Sequence, residues 1–390
     1  MRAAFIVFGF FWGSWAVAAV DAQEFLRFDD GQLGVLLAVT VLGGALANIA
    51  GGTIAERWGT RRVLAGGLGA WAGFLVALAA VHHRFAWCAL FTLGVAAGGL
   101  VDVVMNVAAT AALSATPGRL MRCHAMFNGG AVVGAGATGV ALAADVSWRV
   151  VWAVIAGLSV VLAAWVRRSV LPAGEAGAPG EHQTLRAGLR AMARAGLVPL
   201  AVVFCAGALV EGGVDTWGVL FLRSRLGVTA LVGAAAYVAG ALVATVARST
   251  LGWTAERIGE RRGARLGLGL AAVGLTLEAT TSVPAIAGLG LALAAIGSAV
   301  YWPLLLAHAG RGRERPGVIV GGMTGAGYLG FVGGPPIVGW VSELFSLRIG
   351  LLALAAVAVG AALLPLRTMD RPRRPEASTS VSAASSRSST

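Results

Sequence analysis

The chain has 390 residues, of which 57% are hydrophobic and only 12% are charged, and its mean hydropathy is +0.80. Soluble globular proteins carry about 25% charged residues, so this composition excludes an ordinary aqueous surface and indicates a multi-pass membrane protein. The net charge of +12 does not indicate nucleic-acid binding, because the basic residues are all arginines in short clusters between apolar runs.

The apolar runs predict twelve transmembrane helices. A hydrocarbon core requires about 20 apolar residues per helix, and a helix satisfies its backbone polar groups internally. The first run follows Arg2 and could pass for a signal peptide, but it is long enough to span the membrane and opens a series of similar runs. The twelve runs cover residues 4–21, 32–55, 63–81, 85–112, 123–144, 149–166, 196–222, 229–250, 264–282, 284–308, 317–341 and 346–366.

These runs predict a six-helix half over residues 1–166 and a second half over 196–366. Residues 167–195 form a predicted cytoplasmic linker whose last part, TLRAGLRAMARAG, is amphipathic. This part suits either the anionic inner leaflet or a solvated surface. Residues 367–390 are polar and Ser-rich, which predicts a disordered cytoplasmic tail.

The arginines predict that both termini are cytoplasmic in a cell membrane, because cytoplasmic connections carry an excess of positive charge. With this orientation the outer connections hold only Arg27, Arg84, Arg149, Arg223, Arg225 and Arg348, and the other clusters lie inside.

A charged stretch, GGTIAERWGTRR at residues 51–62, recurs as LGWTAERIGERR at 251–262. Together with the six-plus-six arrangement, it resembles the major facilitator superfamily. That family carries Gly-x-x-x-Asp-Arg-x-Gly-Arg-Arg between helices 2 and 3. The corresponding residues here, with Glu for Asp in both copies, are Gly52, Glu56, Arg57, Gly59, Arg61, Arg62, Gly252, Glu256, Arg257, Gly259, Arg261 and Arg262.

Five shorter stretches are similar to a bacterial branch of the superfamily that is related to the fucose-permease-like sugar transporters. They read DGQLGVLLA, DVVMNVAATA, GRLMRCHAMFNGG, EGGVDTW and GYLGFVGGPPIVGW. The superfamily resemblance implies an all-α fold of two pseudo-symmetric six-helix halves. It also implies that helices 1, 4, 7 and 10 face a central cavity, with the solute near the midplane.

Carboxyl groups inside predicted spans are costly in lipid and therefore mark candidate functional sites. Asp102 lies one turn before Asn106, and Glu211 lies one turn before Asp215. Because desolvation disfavours the anionic form, such acids can bind and release a proton. We predict Glu211, with Asp215, or Asp102 as the proton-coupling site. The alternatives are that Asp215 is solvated in the outer water layer and that Asp102 bonds a neighbouring helix.

Aromatic and polar side chains near mid-span are candidates for lining the cavity. They suit a sugar or a flat amphipathic solute, although each aromatic residue alone is equally suited to anchoring or lipid-facing packing. No basic residue is expected near mid-membrane. The cavity candidates are Trp12, Ser14, Trp15, Asn106, Trp217, Tyr301, Trp302 and Tyr328.

The sequence therefore predicts a secondary active transporter of a small organic solute, driven by protons and directed toward export of a metabolite or drug. The alternatives are a proton symporter that imports a sugar-like solute and a non-transporting receptor on the same fold. Neither an enzymatic constellation, a cofactor site nor metal-ligand spacing is expected, and the chain is expected to be a monomer in the bilayer. Glu56 and Glu256 are predicted to brace the starts of helices 11 and 5 as latches between the halves.

Overall fold

The computed structural model describes residues 2–113, 117–169, 185–250, 257–310 and 316–364. These residues form thirteen α-helices. The helices are α1 (Arg2–Leu26), α2 (Asp30–Trp58), α3 (Thr60–Ala80), α4 (Arg84–Leu113), α5 (Pro117–Ala143), α6 (Trp148–Arg168), α7 (Leu185–Arg194), α8 (Val198–Leu226), α9 (Ala230–Ser249), α10 (Glu260–Thr280), α11 (Pro284–Gly310), α12 (Pro316–Leu344) and α13 (Leu347–Leu363).

Twelve of these helices form the predicted all-α membrane fold of two six-helix halves, α1–α6 and α8–α13. Within the described residues, nine helices are long and apolar enough to cross a membrane, and Leu347–Leu363 is a shorter apolar helix. The remaining short helix, α7, covers the amphipathic end of the predicted linker. Residues 170–184 of that linker and the predicted tail at 367–390 lie outside the described residues.

Side-chain caps begin several helices at the end of the bundle that holds the α1–α2 connection. We call this the distal end, and the end at which α1 begins is the terminal end. Asp29 starts α2 with a capping box to Gln32, and Ser147, Thr229 and Ser346 each accept a backbone N–H at the start of α6, α9 and α13. Such caps satisfy the free N–H groups of a first turn.

Two glycines make the sharp turns of the repeated stretch at the terminal end. Gly59, between α2 and α3, has φ of 84°, and Gly259, before α10, has φ of 81°. Residues other than glycine are strained in this region of backbone conformation, because their Cβ atom clashes with the backbone. The two copies therefore share the same backbone requirement at corresponding places in the two halves.

Small residues let paired helices pack backbone to backbone, as is common in membranes. In the N-terminal half, a Cβ added at Gly9 or Gly13 of α1 would overlap the backbone oxygen of Phe127 or Ala131 of α5. In the C-terminal half, a Cβ at Gly330 of α12 would overlap the backbone oxygen of Cys205 of α8. These two helix pairs occupy equivalent places in the two halves.

The two halves meet along α2 with α12 and along α5 with α9. Gly34 lies against Pro335 and Gly339, and Gly139 lies against Ala234, all toward the distal end. Next to Gly139, a small apolar cluster joins Val17, Ala135, Ala230 and Ala234 from α1, α5 and α9. The distal end of the interface between the halves is thus closely packed.

Candidate functional site

A cavity of about 180 Å³ lies between the halves, on the terminal side of this packed region. Helix α5 contributes its lining from the N-terminal half, and α8, α9 and α11 contribute from the C-terminal half. Most of the wall is small or apolar. Its polar side chains are Asn128, Glu211, Asp215, Tyr237, Arg248 and Ser298.

Glu211 is the most strongly bonded acid in this cavity. One carboxylate oxygen accepts from the Arg248 guanidinium at 3.2 Å, and the other accepts from the Tyr301 hydroxyl at 3.4 Å. Arg248 also donates to the backbone oxygen of Ala299 at 3.4 Å. Glu211 therefore connects α8 with α9 and α11, so a change in its charge would alter contacts among three helices at once.

Asp215 lies one turn further along α8 and projects into the same cavity. Its side chain is exposed, yet it lies among cavity-lining residues and within electrostatic reach of Arg248. It makes no hydrogen bond with the described residues, in contrast to Glu211. The structure therefore brings the two predicted acids of α8 together beside one guanidinium, and Asp215 faces cavity solvent.

Asp102 lies elsewhere, in a polar contact between α4 and α2. Its carboxylate accepts from the side-chain amide of Asn48 at 3.1 Å and from that of Asn106 at 3.0 Å. Asn106 also donates to the backbone oxygen of Asp102 at 2.9 Å. This arrangement matches the alternative in which Asp102 bonds a neighbouring helix, and neither Asp102 nor Asn106 is among the residues that line the cavity.

The predicted aromatic candidates occupy several environments. Tyr301 is buried and reaches the site through its hydroxyl group, and Trp302 packs on Phe204 with ring centroids 4.2 Å apart. Trp217 is fully buried in the core, and Tyr328 is 37% exposed on α12. Among the described residues, only Tyr301 of these four contacts a charged group of the cavity.

The candidates of α1 lie inside the N-terminal half. Ser14 is fully buried, and its hydroxyl accepts from Thr138 at 2.7 Å and from the Trp152 indole at 3.1 Å. Trp15 packs on Phe91 and Trp152, and Trp12 packs on Phe8 and Phe11. None of the three is among the residues that line the cavity.

The expectation of no basic residue near mid-membrane is wrong, because Arg248 lines the cavity and pairs with Glu211. Arg248 is close to the terminal end of α9, but its long side chain carries the charge into the protein. The signal was present in the sequence, since an arginine within an apolar run is costly unless it is paired or solvated. Asn128, Tyr237 and Ser298 were also missed, and they carry no comparable signal.

The cavity also differs from the expectation that helices 1, 4, 7 and 10 line it. Helices 7 and 10, here α8 and α11, contribute as expected, but the other lining residues come from α5 and α9. Close packing at the distal end brings α5 and α9 together and so places their polar residues beside α8.

The repeated stretch lies at the terminal end, away from this cavity. Arg57, Arg61, Arg62, Arg257 and Arg262 are exposed there, and Arg261 is half-buried. Gly52 lies in the last two turns of α2, Gly59 follows that helix, and Gly259 precedes α10. Gly252 and Glu256 lie outside the described residues, as does the side chain of Glu56, so the two latches stay predictions.

Ion pairs join the halves at the distal end. Arg223 of α8 pairs with Asp21 of α1 at 2.6 Å and also donates to the backbone oxygen of Val17. Arg225 pairs with Asp30 of α2 at 2.7 Å, and Gln23 donates to the same carboxylate. Together with the apolar cluster, these contacts close the cavity toward the distal end.

Comparisons with known proteins agree with this architecture. The sequence profile of the Major Facilitator Superfamily matches residues 2–311 and 246–389. The chain is 27% identical over 369 residues to an uncharacterized MFS-type transporter of Yersinia pestis, covering 92% of this chain and 93% of that protein. It is 27% identical over 361 residues to the membrane protein MosC of Rhizobium meliloti, covering 91% and 86%.

Solved structures share the fold at low sequence identity. The nucleoside transporter NupG has a TM-score of 0.74 at 16% identity, over 92% of this chain and 95% of that one. An inward-facing bacterial homolog of the lysosomal transporter Spinster gives 0.73 at 18%, over 92% and 94%. The D-xylose-proton symporter gives 0.69 at 14%, over 93% and 95%.

Proposed function

Because the chain belongs to the Major Facilitator Superfamily, we propose that it moves a small organic solute across the bacterial inner membrane by proton-coupled alternating access. The observation that carries this proposal is the cavity between the halves, where Glu211 and Asp215 face Arg248 and one end is closed. Because one end of the cavity is closed, the acids that line it can exchange protons with only one side of the membrane at a time.

Our proposed direction is export in exchange for protons. A proton and a solute that use the same carboxylates exclude each other, and mutual exclusion at one site produces exchange across the membrane. Glu211 and Asp215 lie in the cavity itself, so solute and proton compete there. With the termini in the cytoplasm, as the arginines predict, the distal end faces outward and the structure is closed to the outside.

A proton symporter that imports a sugar-like solute is the second candidate. It requires a proton site that the solute does not occupy, and Asp102, which bonds Asn48 and Asn106 outside the cavity, is the candidate for that site. The stretches that resemble the fucose-permease-like branch favour the same candidate. The fold similarity to the D-xylose-proton symporter is consistent with it.

Transport by Glu211→Gln in proteoliposomes tests the coupling site. A solute is first identified through thermal stabilisation of the protein by a metabolite library. We expect the variant to lose transport driven by a pH gradient while it still exchanges labelled solute across the membrane, because Gln keeps the shape of Glu but cannot ionise. Glu24→Gln, at an exposed acid near the distal end, is the matched control and should behave as the wild type.

The possible outcomes separate the candidates. Full coupling in Glu211→Gln together with loss of coupling in Asp102→Asn supports the symporter. Full coupling in both variants contradicts the coupling role of Glu211 and that of Asp102. Binding of the solute without transport under either gradient supports the receptor alternative.

A further inference from the structure

The cavity carries an excess of negative charge. Among its described lining residues, the groups charged at neutral pH in water are Glu211, Asp215 and Arg248. When all three are ionised, two carboxylates share one guanidinium and the sum is one negative charge. A net negative charge beside a largely apolar wall attracts a proton or a cation.

The excess charge is localised at Asp215. Arg248 donates to Glu211 at 3.2 Å, and Tyr301 completes the bonding of that carboxylate at 3.4 Å. Asp215 makes no hydrogen bond with the described residues and faces the cavity.

We propose that the transported solute carries a positively charged amine and that the carboxylate of Asp215 is its counter-ion. An ammonium group donates hydrogen bonds, which the free carboxylate of Asp215 can accept. The aromatic side chains of Phe127 and Tyr237 line the same cavity, and aromatic faces attract cations. A solute anion, in contrast, would have to displace Glu211 from Arg248 while it faced Asp215.

This inference rests on the proposed function, because the amine and the transported proton would compete for the carboxylate of Asp215. The titratable or charged groups that face Asp215 are Glu211 on its own helix, Tyr237 and Arg248 on α9, and Tyr301 on α11. Affinity for an amine that remains protonated should therefore decrease as the pH is lowered, since protons then occupy the carboxylate.

Three probes that share one ring test the charge preference: cyclohexylamine, cyclohexanol and cyclohexanecarboxylate. Binding is measured by calorimetry and by thermal stabilisation of the full chain in lipid nanodiscs. We expect only cyclohexylamine to bind the wild type, and Asp215→Asn to weaken that binding about tenfold or more, the loss of one charge-assisted contact. Asp215→Glu should retain part of the binding, and Asp145→Asn, at an exposed acid in the α5–α6 connection, should leave it unchanged.

Equal binding of the alcohol or the carboxylate overturns the inference, as does absence of binding by the amine or undiminished binding by a folded Asp215→Asn. Failure of the inference is distinguishable from failure of the proposed function. Proton movement driven by an uncharged or anionic solute would leave the function intact and exclude the amine. Amine binding without any proton movement would support the amine site and contradict proton-coupled transport.

Discussion

A single hydroxyl group, that of Ser14, joins three helices of the N-terminal half. It accepts hydrogen bonds from Thr138 of α5 and from Trp152 of α6, and it is fully buried. A buried donor that loses its acceptor costs more than the net value of the hydrogen bond. The position of Ser14 thus gives it a structural role, in place of the cavity role that its polar character suggested.

We expect Ser14→Ala to lower the free energy of unfolding by about 1–3 kcal/mol, because two buried donors lose their acceptor. Thermal unfolding in detergent measures this change, and solute binding by the folded variant should stay as in the wild type. Ser249→Ala is the control, since within the described part of the chain that hydroxyl bonds only the Val246 backbone oxygen of its own helix. Normal stability with lost solute binding would instead place Ser14 in the site.

At the scale of elements, close helix contact depends on the absence of side chains at particular glycines. We expect Gly13→Ala to destabilise the N-terminal half by about 1–3 kcal/mol, because the added methyl group forces α1 away from the Ala131 backbone of α5. Gly66→Ala in α3 is the matched control. Its methyl group would meet nothing within 4 Å, so the variant should be more stable by about 0.5–1 kcal/mol because alanine has the higher helix propensity. Equal Tm values for the two variants would contradict this account of α1–α5 packing.

The latch prediction belongs to the same scale. If Glu56 braces the positive start of α12 at the terminal end, Glu56→Gln removes about 0.3–1 kcal/mol of attraction and shifts the population toward the inward-facing state. A cysteine introduced at Ala244 of the cavity wall, in a chain without its native cysteines, should then be labelled faster from the cytoplasmic side. An unchanged labelling rate counts against the latch.

For the whole molecule, closure of the distal end depends on ion pairs between the halves. Arg223 is only 12% exposed and Asp21 only 24%, so removal of one partner leaves a poorly solvated charge. This pair and the Arg225–Asp30 pair both disappear if the halves separate there. We infer that they favour the state in which the distal end is closed.

We expect Asp21→Asn to open the distal end more often. A cysteine at Ala135, which is fully buried in the cluster that closes this end, should be labelled about tenfold faster from the distal side, which corresponds to about 1.4 kcal/mol. The double exchange Asp21→Arg with Arg223→Asp should restore slow labelling, because the pair forms again in reverse. A double variant that is labelled as fast as Asp21→Asn would show that the pair does not control closure.

The sequence by itself determined the architecture. Apolar length decides which segments span a bilayer, and the repeated stretch with Gly59 and Gly259 identified the two related halves, because these signals are local and need no knowledge of packing. It also identified Glu211 and Asp215, since carboxylates within apolar runs are rare and costly.

Only the tertiary structure decided which polar groups share a site. It placed Arg248 beside Glu211, Ser14 in the packed core and Asp102 against Asn48, on three different pairs of helices. These partners are separated by 37, 124 and 54 residues in the chain. The pattern within one helix gives the direction of a side chain but not the neighbour it meets, because that neighbour depends on how the helices pack.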